Sequence, residues 1–352
     1  MKQKLTSLND LSALPFDDII DVRAPSEFAE DHVPGALSLP VLSDAERAEV
    51  GTVYVQKDPF LARKLGAALV ARNAAHHLQT ALADRDGGWR PLVYCWRGGQ
   101  RSGSFASILA QIGWRVGLIE GGYKSYRRLV VRAMYDDTLP FRVVLLDGGT
   151  GTAKTEILSH LAAQGAQVLD LEAMAQHRGS LLGGRPEGQP PQKSFESRIA
   201  MALAGLDPDR PVFIESESNK IGARIIPPSL WKAMQNADHI RIRAPLDARA
   251  KFLVHSYADL LQDGQTLDEK LLVLARFHGH DQVNDWRQMA RGGAYEALAR
   301  GLVQQHYDPS YNRSSQRLGA PLGHLDLSSL DTAALAGAAA RIAQIVAEAT
   351  DK

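Results

Sequence analysis

A glycine-rich segment near the middle of the chain places the strictest constraint on its fold. It lies between an apolar run at residues 143–146 and a helical pattern at residues 156–163. Glycines permit a tight turn in which backbone N–H groups and a helix N-terminus point at a phosphate, and a neighbouring lysine adds positive charge. The segment therefore predicts a strand, a phosphate-binding loop (P-loop) and a helix. The predicted phosphate-binding residues are Gly148, Gly149, Thr150, Gly151, Thr152, Ala153, Lys154 and Thr155.

One position in this loop departs from the usual pattern. Ala153 stands where a glycine normally precedes the lysine. Its methyl group would crowd a phosphate if the backbone needs the conformational freedom of glycine. The pattern therefore predicts a phosphate site without fixing the phosphate compound, and a glycine turn without a ligand is the alternative.

The chain contains one cysteine, Cys95, which follows an apolar run at residues 91–94 and precedes a glycine-containing turn and a helical pattern. A thiol between a strand end and a helix N-terminus lies in a positive potential that stabilises a thiolate. Arg97 and Arg101 add formal positive charge, so these three residues are predicted to be catalytic. With no second cysteine, Cys95 can form no intramolecular disulfide and must pass on whatever it carries.

Apolar runs alternate with helical patterns along the chain, which predicts the α/β fold class. Residues 136–140 interrupt the alternation, and 352 residues with 45% hydrophobic composition are enough for two cores. We therefore predict two α/β domains, residues 1–138 and residues 139–352. Residues 183–192 are expected to form a mobile loop and residues 332–350 a terminal helix.

Basic and acidic residues balance at 40 each, so overall composition does not indicate a nucleic-acid-binding protein. A site for a polyanion would need local clusters of basic residues. Such clusters are equally well explained as the solvated faces of helices. The candidates are Arg127, Arg128 and Arg132, and a second group of Arg241, Arg243 and Arg249. The N-terminus lacks the apolar core of a signal peptide, and no uncharged apolar run reaches the ~18 residues that span a bilayer. We expect a soluble, cytoplasmic protein.

Acidic residues follow two strand candidates of the second domain. Glu215 and Glu217 come after the apolar run at residues 211–214, and alternation directs both to one side. They could hold Mg²⁺ through water or position a substrate. Helix capping is an equal alternative. No dedicated set of metal ligands is predicted. Three further substrate-site candidates follow the neighbouring strand: Glu172, His177 and Arg178. For His177, a structural role is favoured over a role as general acid or base.

Three segments of the first domain resemble the rhodanese family. They are residues 21–28, residues 32–36 and the loop from Cys95 to Arg101, which has the length of the rhodanese active-site loop. The resemblance implies that Cys95 carries a chalcogen as a persulfide or perselenide. Asp21 and Arg23 are interpreted as an ion pair that supports the loop.

The order of the two domains, and strings along nearly the whole chain, resemble the tRNA 2-selenouridine synthase family. The strings are residues 46–54, 94–102, 120–124, 170–172, 177–180, 194–196 and 215–222. The resemblance implies a rhodanese-like α/β domain followed by a P-loop NTPase-like α/β domain. It also implies replacement of sulfur by selenium at C2 of wobble 2-thiouridine 34 in the tRNAs for Lys, Glu and Gln, through an S-geranyl intermediate.

The same resemblance implies the molecules that would take part. Selenophosphate and geranyl diphosphate would be co-substrates, and no cofactor would be tightly bound, although Mg²⁺ could assist the diphosphate. Selenophosphate synthase would be a partner that supplies selenium, and tRNA phosphates would contact Arg127, Arg128 and Arg132. We expect no involvement of a membrane.

Two other functions remain as alternatives. A general rhodanese-type sulfurtransferase would need only the first domain and would form thiocyanate from cyanide after deletion of residues 139–352. A P-loop kinase with a regulatory rhodanese module would release phosphate in the presence of its substrate.

Overall fold

The computed structural model describes residues 1–315 and 319–350. Contacts divide these residues into two compact units. The first unit comprises residues 1–138 and 190–205, and the second comprises residues 139–189 and the described residues from 206 onward. The predicted division at residue 138 did not anticipate that residues 190–205 belong to the first unit. The physical reason is the helix Gln192–Ala204, which buries Phe195, Ile199 and Leu203 and contacts the helix Tyr123–Val131 of the first unit.

The first unit contains a parallel five-stranded sheet, as expected for an α/β domain. Its strands are β1 (Lys2–Gln3), β2 (Asp18–Asp21), β3 (Leu37–Ser38), β4 (Pro91–Tyr94) and β5 (Gly117–Ile119), in the order β1-β5-β4-β2-β3. All four residues of the central strand β4 are buried, because helices cover a parallel sheet on both faces. Cys95, which follows the carboxyl end of β4, therefore lies at the middle of one edge of the sheet.

Helices complete this unit. Those of residues 1–138 are Asp10–Ala13, Pro25–Glu30, Asp44–Gln56, Pro59–Gln79, Gln100–Ile112 and Tyr123–Val131, the last of which continues into a π-helical turn at Arg132–Asp136.

The second unit contains another parallel five-stranded sheet and a two-stranded antiparallel ribbon. The strands of this unit are β6 (Val143–Asp147), β7 (Gln167–Leu169), β8 (Val212–Glu215), β9 (Lys220–Ile221), β10 (Arg224–Ile225), β11 (Asp238–Arg243) and β12 (Gly323–Asp326). The order in the large sheet is β12-β11-β6-β8-β7, and β9 pairs with β10. The strand before the glycine-rich loop, β6, is thus central, and β8 lies beside it. In such open sheets the carboxyl ends of the strands form the ligand site.

The helices of the second unit lie around this sheet and in a separate helical layer. They are Lys154–Ala163, Leu171–Ala175, Pro228–Gln235, Leu246–Ser256, Ala258–Gln262, Gly264–Leu272, Ala275–Arg291, Tyr295–Leu302, Asp308–Ser315 and Thr332–Thr350, with a π-helical turn at Val303–Tyr307. The terminal helix confirms the prediction for residues 332–350, and Leu335, Ile342 and Val346 of this helix join the core beneath the sheet. The helical layer after β11 has its own core, in which Trp286 is buried.

Residues 183–192 contain no strand and only the first residue of a helix. None of the described helices combines the length and apolar character needed to cross a membrane.

Candidate active sites

Cys95 lies at the carboxyl end of β4, and its side chain is 3% exposed. The Ser102 hydroxyl, in the first turn of the helix Gln100–Ile112, donates a hydrogen bond to the Cys95 Sγ at 3.1 Å. The carbonyl of Cys95 accepts a hydrogen bond from the Tyr123 N–H at 2.9 Å, which fixes the backbone at the strand end. The sulfur is therefore positioned between a strand end and a helix N-terminus, beside a hydroxyl donor. Sequence reasoning missed Ser102, although a serine in the first turn after this loop was visible.

The two arginines of the cysteine loop have different surroundings. Arg101 donates to Glu27 at 2.7 Å, and Arg47 also pairs with Glu27 at 3.1 Å. Burial acts to raise the pKa of Glu27, but these two guanidinium groups outweigh it and hold that pKa below its ordinary value. Arg97 is exposed. Arg97 is thus the more accessible positive charge of the loop, whereas Arg101 is engaged with a carboxylate that sequence reasoning did not identify.

The expected ion pair between Asp21 and Arg23 is confirmed. Their side chains are fully buried and lie 2.6 Å apart, and the Arg23 guanidinium stacks 4.0 Å from the centre of the Tyr123 ring. The pair supports the edge of β2 next to the strand that carries Cys95.

The glycine-rich loop, residues 148–155, connects β6 to the helix Lys154–Ala163 as predicted. The Lys154 Nζ donates to the Gly148 carbonyl at 2.8 Å, so the amine folds back over the loop. Ala153 adopts the left-handed conformation, with φ 59° and ψ 34°. The backbone at this position therefore has the geometry that glycine would favour, and alanine accepts it at a conformational cost.

Arg249 supports the glycine-rich loop from a distant helix. Its Nε donates to the Thr150 carbonyl at 2.9 Å, and its terminal nitrogens bind Asp308, the shorter contact being 2.6 Å. Arg241 pairs in turn with Asp147 at 3.0 Å. Two members of the second predicted arginine group are therefore structural: Arg249 holds the loop through a hydrogen bond, and Arg241 holds the end of β6 through an ion pair. Their roles could not be read from the sequence, because their partners are more than 50 residues away.

Three carboxylates converge beside this loop at the carboxyl edge of the sheet. Glu172, Glu215 and Glu217, the carboxylate cluster, each present an oxygen within 4.8 Å of the others. Glu215 is 2% exposed, and none of the described residues donates a hydrogen bond to its Oε1. Gly179 has φ +65°, and a Cβ on it would lie 2.5 Å from the Glu172 Oε1 and 2.7 Å from the Glu217 Oε1. Only glycine leaves room for these oxygens.

Burial and mutual repulsion keep the carboxylate cluster partly protonated. Burial, followed by the charges of Glu215 and Glu217, raises the pKa of Glu172 to about 10. Burial also raises the pKa of Glu215 to about 7, although the nearby Lys154 opposes the shift. The cluster therefore holds at least one proton near neutral pH. Such a group can accept or release a proton. Its three carboxylate oxygens also suit a hard cation such as Mg²⁺, although the sequence predicted no set of metal ligands.

His177 and Arg178 lie near this cluster but have different neighbours. Burial, reinforced by Lys270 and Arg178, lowers the pKa of His177, which favours the neutral ring. The His177 Nδ1 is buried, and no described residue binds it. Arg178 pairs with Asp259 at 2.6 Å and lies 4.7 Å from the centre of the Tyr257 ring. His177 thus remains a candidate proton carrier, whereas Arg178 is engaged by its own ion pair.

The basic cluster, Arg127, Arg128 and Arg132, does not form one exposed surface. Arg127 is 17% exposed, pairs with Glu196 and lies 3.7 Å from Asp31. Arg128 donates to the Ser125 hydroxyl at 3.1 Å, and Arg132 pairs with Asp137 at 3.3 Å while 69% exposed. Arg127 therefore acts within the first unit, because its charge is already neutralised by buried carboxylates. Arg128 and Arg132 remain candidates for phosphate contact.

Comparison with known proteins matches each of the two domains to a family. The family described as rhodanese-like domain matches residues 4–129, and the family described as tRNA 2-selenouridine synthase AAA domain matches residues 141–278. The chain is 36% identical to the tRNA 2-selenouridine synthase of Nitrosomonas europaea over 73% of this chain and 68% of that protein.

Other relatives extend the match over most of both chains. Identity is 32% to the tRNA 2-selenouridine synthase of Pseudomonas syringae pv. syringae, over 86% of this chain and 90% of the relative. It is 34% to the protein of the same name from Chromohalobacter salexigens, over 83% and 86%. With both domains matched in order and relatives aligned over most of their length, this chain belongs to the tRNA 2-selenouridine synthase family.

Proposed function

We propose that this protein replaces sulfur by selenium at C2 of wobble 2-thiouridine 34 in the tRNAs for Lys, Glu and Gln. The proposed donors are geranyl diphosphate for activation of the sulfur and selenophosphate for selenium, which selenophosphate synthase would provide in the cytoplasm. The observation that carries the proposal is the combination, in one member of this family, of a buried thiol at a strand end with a glycine-rich loop beside three carboxylates.

The first proposed step is alkylation of the 2-thiouridine sulfur. A sulfur lone pair forms a bond to C1 of the geranyl group, the C1–O bond breaks, and its electron pair leaves with the diphosphate. The N3 proton of the base passes to a carboxylate. Lys154 and the backbone N–H groups of the glycine-rich loop would stabilise the departing diphosphate, and a carboxylate of the cluster that is not bound to a metal ion would accept the proton.

The second proposed step exchanges the chalcogen. Selenium of selenophosphate forms a bond to C2, and the C2–S bond breaks with its electron pair leaving as geranylthiolate, a better leaving group than the unalkylated sulfur. Water then cleaves the Se–P bond and releases phosphate. Cys95 and the hydroxyl of Ser102 would position the selenium for this attack, with Arg97 as the exposed charge beside them.

The residues beside the glycine-rich loop fit Mg²⁺. Glu215 supplies a buried oxygen without a donor among the described residues, and Glu172 and Glu217 supply two more. A bound Mg²⁺ would neutralise charge on the diphosphate. Thr155, whose side chain interacts with Glu215, orients that carboxylate, and Lys154 limits the repulsion within the cluster.

Mass spectrometry of wobble nucleosides tests the proposal. The protein would be incubated with 2-thiouridine tRNA, geranyl diphosphate and selenophosphate, and we expect S-geranyl-2-thiouridine followed by 2-selenouridine. Omission of geranyl diphosphate should prevent both products, and tRNA without the 2-thio group should remain unchanged. Formation of 2-selenouridine at the full rate without geranyl diphosphate would contradict the alkylation step, and no 2-selenouridine under any condition would contradict the function.

A further inference from the structure

A polar pocket opens beside the glycine-rich loop of the second unit, at the carboxyl end of β11. Its cavity of about 350 Å³ lies within the range of about 300–1,000 Å³ that is usual for small-molecule sites. Gly149 belongs both to the loop and to the lining of this pocket. The lining also contains one carboxylate, Asp308, and the whole of the second predicted arginine group, Arg241, Arg243 and Arg249. The net charge of this arginine pocket is therefore positive, which favours an anionic ligand.

Two of the three arginines are held in place by their own partners. Arg249 uses three of its five N–H groups, one on the Thr150 carbonyl and two on Asp308. Arg241 is held by Asp147 at 3.0 Å. These two guanidinium groups are thus fixed before a ligand arrives, which reduces the entropy lost on binding.

Arg243 differs from the other two arginines of the pocket. It lies two residues after Arg241 on β11, and strand alternation places both side chains on the same face of the sheet. Its guanidinium is exposed and forms no ion pair or hydrogen bond with the residues that the structure describes. A planar guanidinium can bind two phosphate oxygens at once. Arg243 is therefore available to a phosphate group without the loss of an existing ion pair.

An aromatic ring and an amide lie across the pocket from the strand. The Tyr311 hydroxyl donates to Asp147 at 2.9 Å, which orients the ring, and Asn312 follows it in the helix Asp308–Ser315. Unpaired bases of RNA stack on aromatic rings and form hydrogen bonds through their edges. An inorganic anion would use only the arginines, whereas a nucleotide would use the arginines, the ring and the amide together.

We propose that the arginine pocket binds a nucleotide of the tRNA anticodon loop, with its phosphate at Arg243 and its base against the ring of Tyr311. This inference rests on the proposed function, in which the wobble base must leave its stack to react. Because Gly149 is shared, a nucleotide in the pocket lies next to the loop that would bind the departing diphosphate. The pocket would therefore anchor the RNA strand beside the site of alkylation.

Fluorescence anisotropy with a labelled anticodon stem-loop RNA tests the role of Arg243 in the full-length protein. Arg243→Ala should weaken binding about tenfold and lower the slope of log affinity against log salt by about 0.7, because one phosphate contact on a single strand is lost. Arg243→Lys keeps the charge and should keep the slope. Arg341→Ala removes a charge from an exposed position of the terminal helix and should match the wild type. Unchanged affinity and slope for Arg243→Ala would overturn the inference.

The ring of Tyr311 provides an independent test with the same RNA. Tyr311→Ala should weaken binding about tenfold without a change in the salt slope, because stacking releases no counterions. Tyr311→Phe loses the hydrogen bond to Asp147 but keeps the ring, so it should bind RNA nearly as well as the wild type. Equal losses in these two variants would assign the effect to the contact with Asp147 and would overturn the inference.

Two measurements on the wild-type protein cover the case in which these variants do not fold. Photocrosslinking to a stem-loop with 4-thiouridine in its loop should give an adduct within the helix Asp308–Ser315. Adducts confined to other segments would overturn the inference. Uridine monophosphate should bind more weakly than the stem-loop, which adds phosphate contacts outside the pocket. Tighter binding of the free nucleotide than of the RNA would overturn the assignment of the pocket to an RNA strand.

Analysis of tRNA products separates this inference from the proposed function. Normal geranylation and selenation by Arg243→Ala and Tyr311→Ala at a limiting tRNA concentration would contradict the arginine pocket alone. RNA binding that depends on both residues, without formation of 2-selenouridine, would support the pocket and contradict the proposed function.

Discussion

The Ser102 hydroxyl donates to the Cys95 sulfur at 3.1 Å, so it stabilises negative charge on that atom. Cys95→Ser should abolish formation of 2-selenouridine, because it replaces the large, polarisable sulfur that positions the selenium with a smaller and less polarisable oxygen. Ser102→Ala should slow selenation about tenfold, since a hydrogen bond to a charged group contributes about 1.5–3 kcal/mol. Timed nucleoside mass spectrometry measures both.

Ser107→Ala is the matched control for the Cys95 and Ser102 variants. Ser107 lies in the same helix as Ser102, and its hydroxyl donates to the Gly103 carbonyl of that helix. Both site variants should bind tRNA nearly as well as the wild type. A normal 2-selenouridine yield from Cys95→Ser would refute the role of the thiol.

Lys154→Ala should block geranylation before selenation. Loss of one preorganised charge at the departing diphosphate typically lowers the rate 10²–10³-fold, or about 3–4 kcal/mol. Lys251→Ala, at an exposed position, serves as the control. A pre-geranylated tRNA should partly restore 2-selenouridine formation. Failure on that substrate would mean that one phosphate site serves both donors, and normal geranylation would refute the role of Lys154.

Glu172 should make stability depend on pH in an unusual direction. Its pKa rises from an ordinary value of 4.5 to about 10 on folding, so the native state holds a proton that the unfolded chain releases. Stability should therefore decline as the pH rises between about 4.5 and about 10. Glu172→Gln has no such proton to lose and should be more stable than the wild type at pH 9 and similar at pH 4. Denaturant titrations across this range measure the difference, and parallel curves would contradict it.

Mg²⁺ should stabilise the folded protein through the same cluster. A ligand that binds only the native state raises the free energy of unfolding by about 2.7 kcal/mol at 100 times its Kd. Thermal unfolding at pH 8 should show a rise in Tm with Mg²⁺ for the wild type and a smaller rise for Glu215→Gln, which removes the negative charge of that carboxylate. Equal shifts in the two proteins would place the ion elsewhere.

Ala153→Gly should stabilise the protein. A left-handed residue other than glycine costs about 1–2 kcal/mol, and glycine loses about 0.5–1 kcal/mol through the entropy of the unfolded chain. The expected gain is up to about 1 kcal/mol in denaturant unfolding, with diphosphate binding retained. Ala162→Gly, in the right-handed helix that follows, should instead lose about 1 kcal/mol. A loss at both positions would contradict the conformational argument.

Substitutions in the basic cluster should have two different effects, one on stability and one on tRNA binding. Arg127→Ala leaves the buried Glu196 unpaired and should cost about 3–5 kcal/mol of stability. Charge reversal of Arg128 and Arg132 should leave stability nearly unchanged and reduce the salt dependence of tRNA binding, because each lost phosphate contact releases fewer counterions. An unchanged slope of log affinity against log salt would assign both residues to an ordinary solvated face.

Local signals were enough to predict much of this structure. The apolar runs before Cys95 and before Gly148 form central strands because both faces of a parallel sheet are buried, and the loops after them follow from their glycines. Alternation along the chain also placed Glu215 and Glu217 together, which the structure confirms.

Features that depend on distant partners could not be predicted in this way. Arg127 looked like part of a basic surface because its partner Glu196 lies 69 residues away in sequence. The two-residue strand β1 is too short for a periodic signal and forms only because β5 provides hydrogen bonds. Leu253 packs on Gly151 of the glycine-rich loop, a contact that no local pattern encodes.

The placement of the helix Gln192–Ala204 in the first unit means that the polypeptide passes between the units three times, after residues 138, 189 and 205. A single cut therefore cannot isolate either unit. A fragment ending at Thr138 would lose the Ser197 hydroxyl that donates to Asp31 at 2.9 Å, together with the carboxylate that neutralises Arg127. Thiosulfate sulfurtransferase activity measured on that fragment would report on an incomplete unit, and a faithful excision must rejoin residues 190–205 to it through a designed linker.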